Sequence, residues 1–589
     1  MHDNPRLNLV QQMLEKTGHQ AVLIRSTDRY FNEYVPYHQS PRAIITGFDG
    51  SAGDALISLK SAHLFVDGRY GLQARNQAAG FNIHVCTNSQ SIENSWLASL
   101  AEILSPQAKL AYDPSTIDMA LYERLEQEAK IAQLMLAPTA QDIIGTGFNQ
   151  QQHEQKTAKL WAIPPELHGS STEEKIKVLS QACQQLGVAG LLVVKLDDIA
   201  WLLNMRSDYF PLQLSVPGLL ALINKQIFLG LPEGLDVDQV NINNLIITKE
   251  HELIQRIKSE LGEQSSIGID KLATSQAHLM ALLKADISVK NISNPIAGLK
   301  ARKNEKELLH LRYAFKKADQ VVYQTQNFVI DSYEKGEPLS EAQVDDYVKK
   351  QFASSGAQAL SFRPICAGAQ NGAIIHYGTP NHQEKVKSGS LFLLDTGAYY
   401  QGGLATDLTR TFLAAPKKTP ALAWQKELFT LVLLASIRGL SARFKRGTLG
   451  MQLDAIVREP LWQRGLDFAH GTGHGVGINV HEFPPRIGPT SSTPLMEGQV
   501  FSIEPGLYYE GLGGVRIENL ATIVADPSND LFLRVLPLTF CPIDQSLVNN
   551  NMLSSYDQEF LNYYEQQWLS SADWPDLPPS PKLDRHLVL

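Results

Sequence analysis

The chain has 589 residues, and its 52 basic and 61 acidic residues give a net charge of -9. This length exceeds what one hydrophobic core can organise, and a content of 43% hydrophobic and 19% charged residues excludes a disordered or fibrous protein. No run of lysine and arginine suits nucleic acid, no apolar run reaches the membrane-spanning length of about 20 residues, and the four cysteines form no C-x-x-C pair, so we expect a cytoplasmic protein that binds neither nucleic acid nor membrane.

The first half of the chain carries one pattern twice. An amphipathic segment ending at Gly18 leads into the apolar run 21–24, and another ending at Gly187 leads into the apolar run 191–194. Later in each copy, "ALISLKSAHLFVDG" and "ALINKQIFLG" both indicate a strand, a polar turn and a second strand. We therefore predict two α/β domains related by duplication.

Two polar stretches predict where the domains end. The glutamine-rich stretch 147–155 follows the first copy, and "NPIAGLKARKNEKE" at 294–307 follows the second. We accordingly predict domains at 1–155, 156–300 and 301–589.

The last of these regions has a different chemistry. Apolar residues recur at helical spacing after Asn304, which predicts a helix at its start. Short β-rich runs follow, and four of them, "LFLLDTGAYY", "LATDLTRTFL", "VFSIEPGLYY" and "GGVRIENLATIVA", each carry one carboxylate among apolar neighbours. These carboxylates are Asp395, Asp407, Glu504 and Glu518.

The four carboxylates together indicate a cation site. A single acid would be explained as a turn cap at a strand end, but several buried acids repel one another and lose hydration unless cations are present. In "GVRIENL" the strand period places Arg516 and Glu518 on one face. The glycine-rich "YYQGGLA" has the composition of a hairpin turn, and folding it would bring Asp395 and Asp407 together.

Histidines surround a flexible backbone in "HGTGHGVGINVHE", which contains His470, His474 and His481, and His376 lies upstream in "NGAIIHYG". Neutral imidazole binds metals and donates to developing negative charge, so this group favours a site over isolated structural histidines. Other motifs fail on spacing: G-x-G-x-x-G, H-E-x-x-H and G-x-S-x-G are all incomplete, and the single "DTG" has no second copy for an aspartic dyad.

These residues resemble a known family. "DTG...TDLTRTF", "HGTGHGVG...VHE", "SIEPGLYY" and "VRIEN" are similar to the signatures of the pita-bread metallopeptidases, and specifically of the three-domain cytosolic aminopeptidase P group. The similarity extends over nearly the whole chain, including "GFDGSAGDALI", "DDIAWLLNMR" and "LTFCPID". It implies a mixed fold, α/β and α+β, in which two creatinase-like domains precede a pita-bread catalytic domain.

The resemblance also implies a two-metal site and a reaction. Its ligands would be Asp395, Asp407, His474, Glu504 and Glu518, with Asp407 and Glu518 bridging the two ions. Oxygen ligands with one imidazole suit Mn²⁺, with Co²⁺ or Zn²⁺ as possible substitutes. The implied enzyme is a homodimer that releases the first residue of peptides whose second residue is proline.

The resemblance further assigns roles around the metals. Glu504 would shuttle a proton, His481 would stabilise the tetrahedral intermediate, and His376 and His470 would hold the peptide around its proline. Arg516 would steady the carboxylates from outside the ligand shell.

One departure and three alternatives accompany this interpretation. The family usually has one residue fewer between the two aspartates, and we expect the turn at "QGG", rather than a bulge that displaces Asp407, to absorb the extra residue. A prolidase restricted to dipeptides would share the ligands, whereas a creatinase-like hydrolase without metals or a non-catalytic peptide-binding relative would be expected to lose them.

Overall fold

The computed structural model describes residues 4–86, 90–145, 157–237, 240, 242–262 and 264–579. The chain forms two compact units, Met1–Ile163 with Ser170–Gly298, and Pro164–Gly169 with Leu299–Leu589. The predicted linker 147–155 lies outside the described residues. The break between the units falls inside the predicted boundary 294–307, and the division into three domains stays a prediction.

The first unit begins with the helix and apolar strand that the sequence predicts. Asn4 caps the first helix, and Gly18 ends it in a left-handed conformation with φ of 72° before the apolar strand starts at Ala21. The elements are α1 (Pro5–Thr17), β1 (Ala21–Ile24), α2 (Pro41–Thr46), β2 (Asp54–Ser58), β3 (Ala62–Val66), α3 (Gly71–Gln77), β4 (Asn82–Val85), α4 (Ile92–Ile103), β5 (Lys109–Ala111), α5 (Met119–Ile131), β6 (Met135–Ala137) and α6 (Ala140–Ile144).

The next stretch of the chain repeats this beginning, because Gly187 ends a helix with φ of 65° and an apolar strand follows at Gly190. In chain order its elements are β7 (Ala158–Ala162), α7 (Pro165–His168), α8 (Thr172–Leu186), β8 (Gly190–Val193), α9 (Leu196–Leu203), β9 (Met205–Ser207), β10 (Leu219–Ile223), β11 (Gln226–Leu231), β12 (Leu235–Asp236), β13 (Leu245–Lys249), α10 (Leu253–Glu260), β14 (Ser266–Ile269), α11 (Gln276–Lys284), β15 (Ser288–Asn291) and α12 (Pro295–Ala301). Of these, α7 belongs to the second unit, and α12 spans the break between the two units.

The sheet topology confirms the predicted duplication. The two sheets have the orders β4-β3-β2-β1-β5-β6 and β13-β11-β10-β8-β14-β15. In both sheets the central strand pairs antiparallel with a hairpin on one side and parallel with a strand on the other. The hairpins β2–β3 and β10–β11 are those that the two strand-turn-strand patterns predict.

The second unit contains the predicted helix after Asn304, whose side chain accepts hydrogen bonds from the backbone N–H groups of Lys306 and Glu307. Its elements are α13 (Glu305–Glu334), α14 (Glu341–Ser354), β16 (Ala359–Leu360), β17 (Ile365–Gly368), β18 (Ser390–Thr396), β19 (Ala398–Tyr399), β20 (Leu408–Ala414), α15 (Ala423–Leu440), β21 (Arg443–Lys445), α16 (Gly450–Trp462), β22 (Gly473–Gly475), β23 (Glu482–Ile487), β24 (Val500–Ile503), β25 (Gly506–Tyr509), β26 (Gly513–Arg516), β27 (Asn519–Ala525), β28 (Phe532–Pro537) and α17 (Ser555–Leu569).

The strands of the second unit form a sheet β17-β18-β20, a six-stranded sheet β21-β28-β27-β24-β22-β23 and the hairpin β25-β26. Helices α15 and α16 share one buried apolar cluster with strands of both sheets and of the hairpin, including Leu413, Val457, Phe501 and Val515. The strand ends around this cluster carry the polar residues described below. None of the described helices is both long and apolar enough to cross a lipid bilayer.

Candidate metal centre

The four predicted carboxylates lie at strand ends of the second unit. Asp395 is near the end of β18, Asp407 directly precedes β20, Glu504 directly follows β24, and Glu518 lies between β26 and β27. Strand ends leave the carboxylates at the edge of the apolar core, where burial removes most of their hydration. Asp407 and Glu518 are only 5% and 2% exposed.

The two aspartates are brought together by antiparallel pairing of β18 with β20. The register is regular from Ser390 opposite Ala414 to Thr396 opposite Leu408, so no bulge displaces Asp407 and the extra residue lies in the connection, as predicted. The connection is longer than a simple hairpin turn, because it contains β19, which pairs with β16.

His474 faces the carboxylates through one ring nitrogen. Its Nδ1 lies 3.1 Å from the carbonyl oxygen of Gly475, which can only accept, so the neutral ring presents the lone pair of Nε2 to the site. Nε2 lies 3.5 Å from Asp407 Oδ2 and 3.3 Å from Glu504 Oε1. Ligand atoms of Asp407, His474 and Glu518 all lie within 4.8 Å of one another.

Ser502 supports both His474 and Glu504. Its hydroxyl accepts a hydrogen bond from the backbone N–H of His474 at 3.0 Å and donates to Glu504 Oε1 at 3.2 Å. The serine thus fixes the strand that carries the imidazole against the carboxylate that follows β24.

Arg516 connects Asp395 with Glu518. Its Nη2 donates to Asp395 Oδ2 at 2.5 Å, and its Nε donates to Thr409 Oγ1 at 3.2 Å. Thr409 in turn donates to Glu518 Oε2 at 2.9 Å. Arg516 therefore neutralises part of the acidic cluster and sets the orientation of two carboxylates. The predicted face shared by Arg516 and Glu518 is confirmed, since Val515 and Ile517 lie in the apolar core.

The acidic cluster has the properties of a cation site. Asp395 Oδ1 and Glu518 Oε1 are buried and have no hydrogen-bond partner among the described residues. Burial first, and repulsion from neighbouring carboxylates second, raises the pKa of Asp407 and of Glu518 well above its ordinary value. Burial also raises the pKa of Glu504 to about 7. Four carboxylates with one guanidinium and unused oxygen lone pairs fit divalent ions.

The other predicted histidines lie around this cluster. The ring of His481 meets that of His474 edge to face, with centroids 4.2 Å apart. His470 Nε2 lies 3.0 Å from the hydroxyl of Tyr508, which also accepts a hydrogen bond from Arg516 Nη1 at 2.9 Å. His376 follows Ile375, whose carbonyl oxygen accepts from the same Nη1 at 3.2 Å.

Tyr508 and Ser502 are site residues that the sequence did not predict. Tyr508 lies on β25, where it pairs with Gly514 on β26, and this hairpin aims its hydroxyl between Arg516 and His470. The run "SIEPGLYY" contains both residues beside Glu504, so their proximity to a predicted ligand was the available signal.

Family comparisons match three regions of the chain: the two that contain the repeated sheets and the one that contains the carboxylate cluster. Residues 310–525 match the family described as Metallopeptidase family M24. Residues 6–142 and 151–307 each match the Creatinase/Prolidase N-terminal domain. The five predicted ligands all fall inside the metallopeptidase match.

Relatives extend the similarity to nearly full length. The Xaa-Pro aminopeptidase ApepP of Drosophila melanogaster is 30% identical over 591 residues, which cover 95% of this chain and 93% of that protein. The crystal structure of the X-prolyl aminopeptidase of Caenorhabditis elegans, described as a cytosolic enzyme with a di-nuclear active site, matches with a TM-score of 0.87 and 25% identity over 96% of this chain and 95% of that one.

A prolidase from Thermococcus sibiricus matches less of the molecule. Its structure has a TM-score of 0.51 and 27% identity, and it covers 64% of this chain and 99% of its own.

Proposed function

The chain belongs to the Xaa-Pro aminopeptidase branch of metallopeptidase family M24, and we propose that Asp395, Asp407, His474, Glu504 and Glu518 hold the two divalent metal ions with which it works. The protein is a metallopeptidase that releases the N-terminal residue of peptides with proline in second position. The observation that carries the ligand assignment is the cluster of four carboxylates, three of them buried, in which two oxygen atoms lack partners among the described residues.

The ligand chemistry favours manganese. Carboxylate oxygens suit hard ions, and the single imidazole admits a borderline ion, so Mn²⁺ fits this set and Co²⁺ or Zn²⁺ could substitute. The Nδ1 contact of His474 with Gly475 supports the assignment, because it leaves Nε2 free of a proton for coordination.

The chemistry divides between the ions and the side chains. When bound, the ions would lower the pKa of a coordinated water and so supply hydroxide near neutral pH. Glu504 would accept and return the proton, and a partly exposed carboxyl whose pKa lies near 7 without metal is suited to exchange protons with solvent. Asp407 and Glu518 would help to hold the two ions, and Arg516 holds Asp395 and, through Thr409, Glu518 in place.

The histidines act on the peptide. His481 lies against His474, so its imidazole can donate to the oxygen that becomes negative in the transition state. His470 and His376 hold the peptide around its proline, whose nitrogen carries no N–H to bind. Both are anchored to Arg516, His470 through Tyr508 and His376 through the carbonyl of Ile375.

The near full-length match favours the aminopeptidase over the prolidase alternative. The prolidase from Thermococcus sibiricus covers 64% of this chain, whereas the Drosophila aminopeptidase covers 95%. A creatinase-like hydrolase without metals and a non-catalytic peptide-binding protein are disfavoured, because all five ligand positions keep donor side chains. We also propose a cytoplasmic homodimer; the location is supported by the description of the Caenorhabditis elegans enzyme as cytosolic.

The test combines metal analysis with two substrates. Purified protein should contain two divalent ions per chain and should release the first residue of a tripeptide whose second residue is proline. A Xaa-Pro dipeptide should be cleaved more slowly. Full activity after exhaustive chelation would contradict the metal mechanism, and exclusive cleavage of the dipeptide would favour prolidase.

A further inference from the structure

Glu341, at the start of α14, is a buried carboxylate outside the metal centre. It accepts hydrogen bonds from several residues of one loop. Its Oε1 accepts from the backbone N–H of Gly368 at 2.7 Å and from Asn371 Nδ2 at 2.9 Å. Its Oε2 accepts from the hydroxyl of Tyr377 at 2.7 Å and from the backbone N–H of Asn381 at 2.9 Å. Four donors, spread from residue 368 to residue 381, thus meet at one side chain that is 2% exposed.

The loop 368–381, whose residues donate these hydrogen bonds to Glu341, contains His376. Tyr377, the next residue, is bound to Glu341, while Ile375, the preceding residue, is bound to Arg516. Burial and its contact with Glu341 raise the pKa of Tyr377 above its ordinary value, so it stays a donor. His376 is therefore flanked on both sides by residues whose partners belong to buried charged groups.

The loop is also closely packed at two of its glycines. The backbone of Gly372 lies against Gly514 of the β25–β26 hairpin, and a Cβ added at Gly514 would lie 2.0 Å from the carbonyl oxygen of Gly372. At the start of the loop, a Cβ at Gly368 would lie 2.4 Å from a methyl group of Val386. This close packing leaves the loop little room to relax, so we expect a displaced loop end to shift His376 as well.

From these contacts we propose that Glu341 is a positioning residue for substrate binding, which acts by holding the loop 368–381 so that His376 faces the peptide. The inference rests on the proposed function of His376. Because the hydrogen-bond partners of Glu341 all lie in this loop and none is a proposed metal ligand, we expect it to affect the reaction through the loop.

The experiment uses the full chain loaded with Mn²⁺ and a tripeptide with proline in second position. Glu341→Gln presents an NH₂ group where one pair of donors needs an acceptor, so we expect KM to rise by about tenfold, with kcat within about twofold and both metal ions retained. The wild-type protein is assayed first. If it does not cleave the tripeptide, the proposed function fails; if it cleaves but Glu341→Gln keeps the wild-type KM, the inference fails.

A double-mutant cycle separates positioning from a general loss of stability. In a His376→Ala background, Glu341→Gln should raise KM by less than about twofold, because the residue it positions is gone. A full tenfold effect in that background would overturn the proposal. The matched control is Asp319→Asn, which alters another buried carboxylate of the same unit, one that accepts from the backbone N–H of Phe540 at 2.8 Å; it should lower stability and leave KM unchanged.

Tyr377→Phe covers the case in which Glu341→Gln does not fold. It removes one hydrogen bond to Glu341 without burying an unmatched group, and we expect KM to rise by about two- to fivefold with unchanged metal content. A wild-type KM in Tyr377→Phe would contradict the role of Glu341 in placing His376.

Discussion

Arg516 donates a hydrogen bond from Nη2 to Asp395 Oδ2 at 2.5 Å, and the same guanidinium reaches Thr409 and Tyr508 through its other nitrogens. One planar group therefore orients a proposed metal ligand and the tyrosine that contacts His470. A lysine side chain ends in a single nitrogen, which cannot reach these three separate oxygen atoms at once.

Arg516→Lys is accordingly expected to lower kcat/KM by about 10- to 100-fold, the usual cost of removing a group that orients metal ligands. Bound metal should fall together with activity. Tyr508→Phe separates the two effects, because it breaks the connection to His470 at 3.0 Å but leaves the Asp395 contact intact. It should keep both ions and raise KM; loss of metal in Tyr508→Phe would contradict this division.

His474 and His481 touch edge to face, yet their substitutions should differ. His474→Ala removes a proposed ligand, so metal analysis should find fewer than two ions per chain. His481→Ala should keep both ions and lower kcat by about 10² to 10³, the cost of one donor to the transition state. Equal metal content in the two variants would contradict the assignment of His474.

Local patterns predicted much of this protein. Glycine-ended helices followed by apolar runs predicted the duplicated sheets, since both signals act within about 20 residues of sequence. The strand period predicted that Arg516 and Glu518 share a face. The resemblance added the five proposed ligands, of which the structure places the four carboxylates at strand ends and His474 within β22 of the same unit.

What remained hidden depends on contacts between distant residues. Glu341 has no motif of its own, and its partners lie 27 to 40 positions away. Tyr508 is one tyrosine of a β-rich run, and only the β25–β26 hairpin brings it to Arg516. The sequence likewise predicted the sheet of each copy in the first unit. It did not predict that the two copies meet there, as in the backbone hydrogen bond from Met119 to Thr274.

The metal-free protein should lose stability as the pH rises from about 5 to about 8. Burial raises the pKa of Glu504 to about 7 in the folded state, so the folded protein binds this proton more tightly than the unfolded chain. Its contribution to stability is present below the unfolded pKa and disappears as the pH rises through about 7. Thermal unfolding of chelated protein against pH measures the effect.

Bound metal should reverse this dependence, because protons and ions compete for the same carboxylate. The apparent affinity for Mn²⁺ should therefore increase from about pH 6 to about pH 8. Glu504→Gln cannot take up the proton, so its chelated form should show a shallower decline of Tm with pH. An identical decline in wild type and Glu504→Gln would contradict the pKa assigned to Glu504.

Lys303, just before α13, forms a buried ion pair with Glu482, the first residue of β23. Their side chains are 3% and 1% exposed. Lys300 Nζ lies farther from the same carboxylate, at 3.9 Å. Lys303→Met removes the nearer partner and leaves Glu482 largely uncompensated in the core, so we expect the free energy of unfolding to fall by about 3 to 5 kcal/mol. Urea unfolding of the metal-loaded protein measures the loss.

Two further variants decide whether unpaired charge is the cause. Combining Lys303→Met with Glu482→Gln removes the uncompensated carboxylate and should recover part of the lost stability, because a neutral amide costs less to bury than a charge. Lys130→Ala breaks the exposed pair with Glu126, whose side chains are 71% and 45% exposed, and should cost less than about 1 kcal/mol. If the double variant were less stable than Lys303→Met alone, the uncompensated charge of Glu482 would not be the source of the instability.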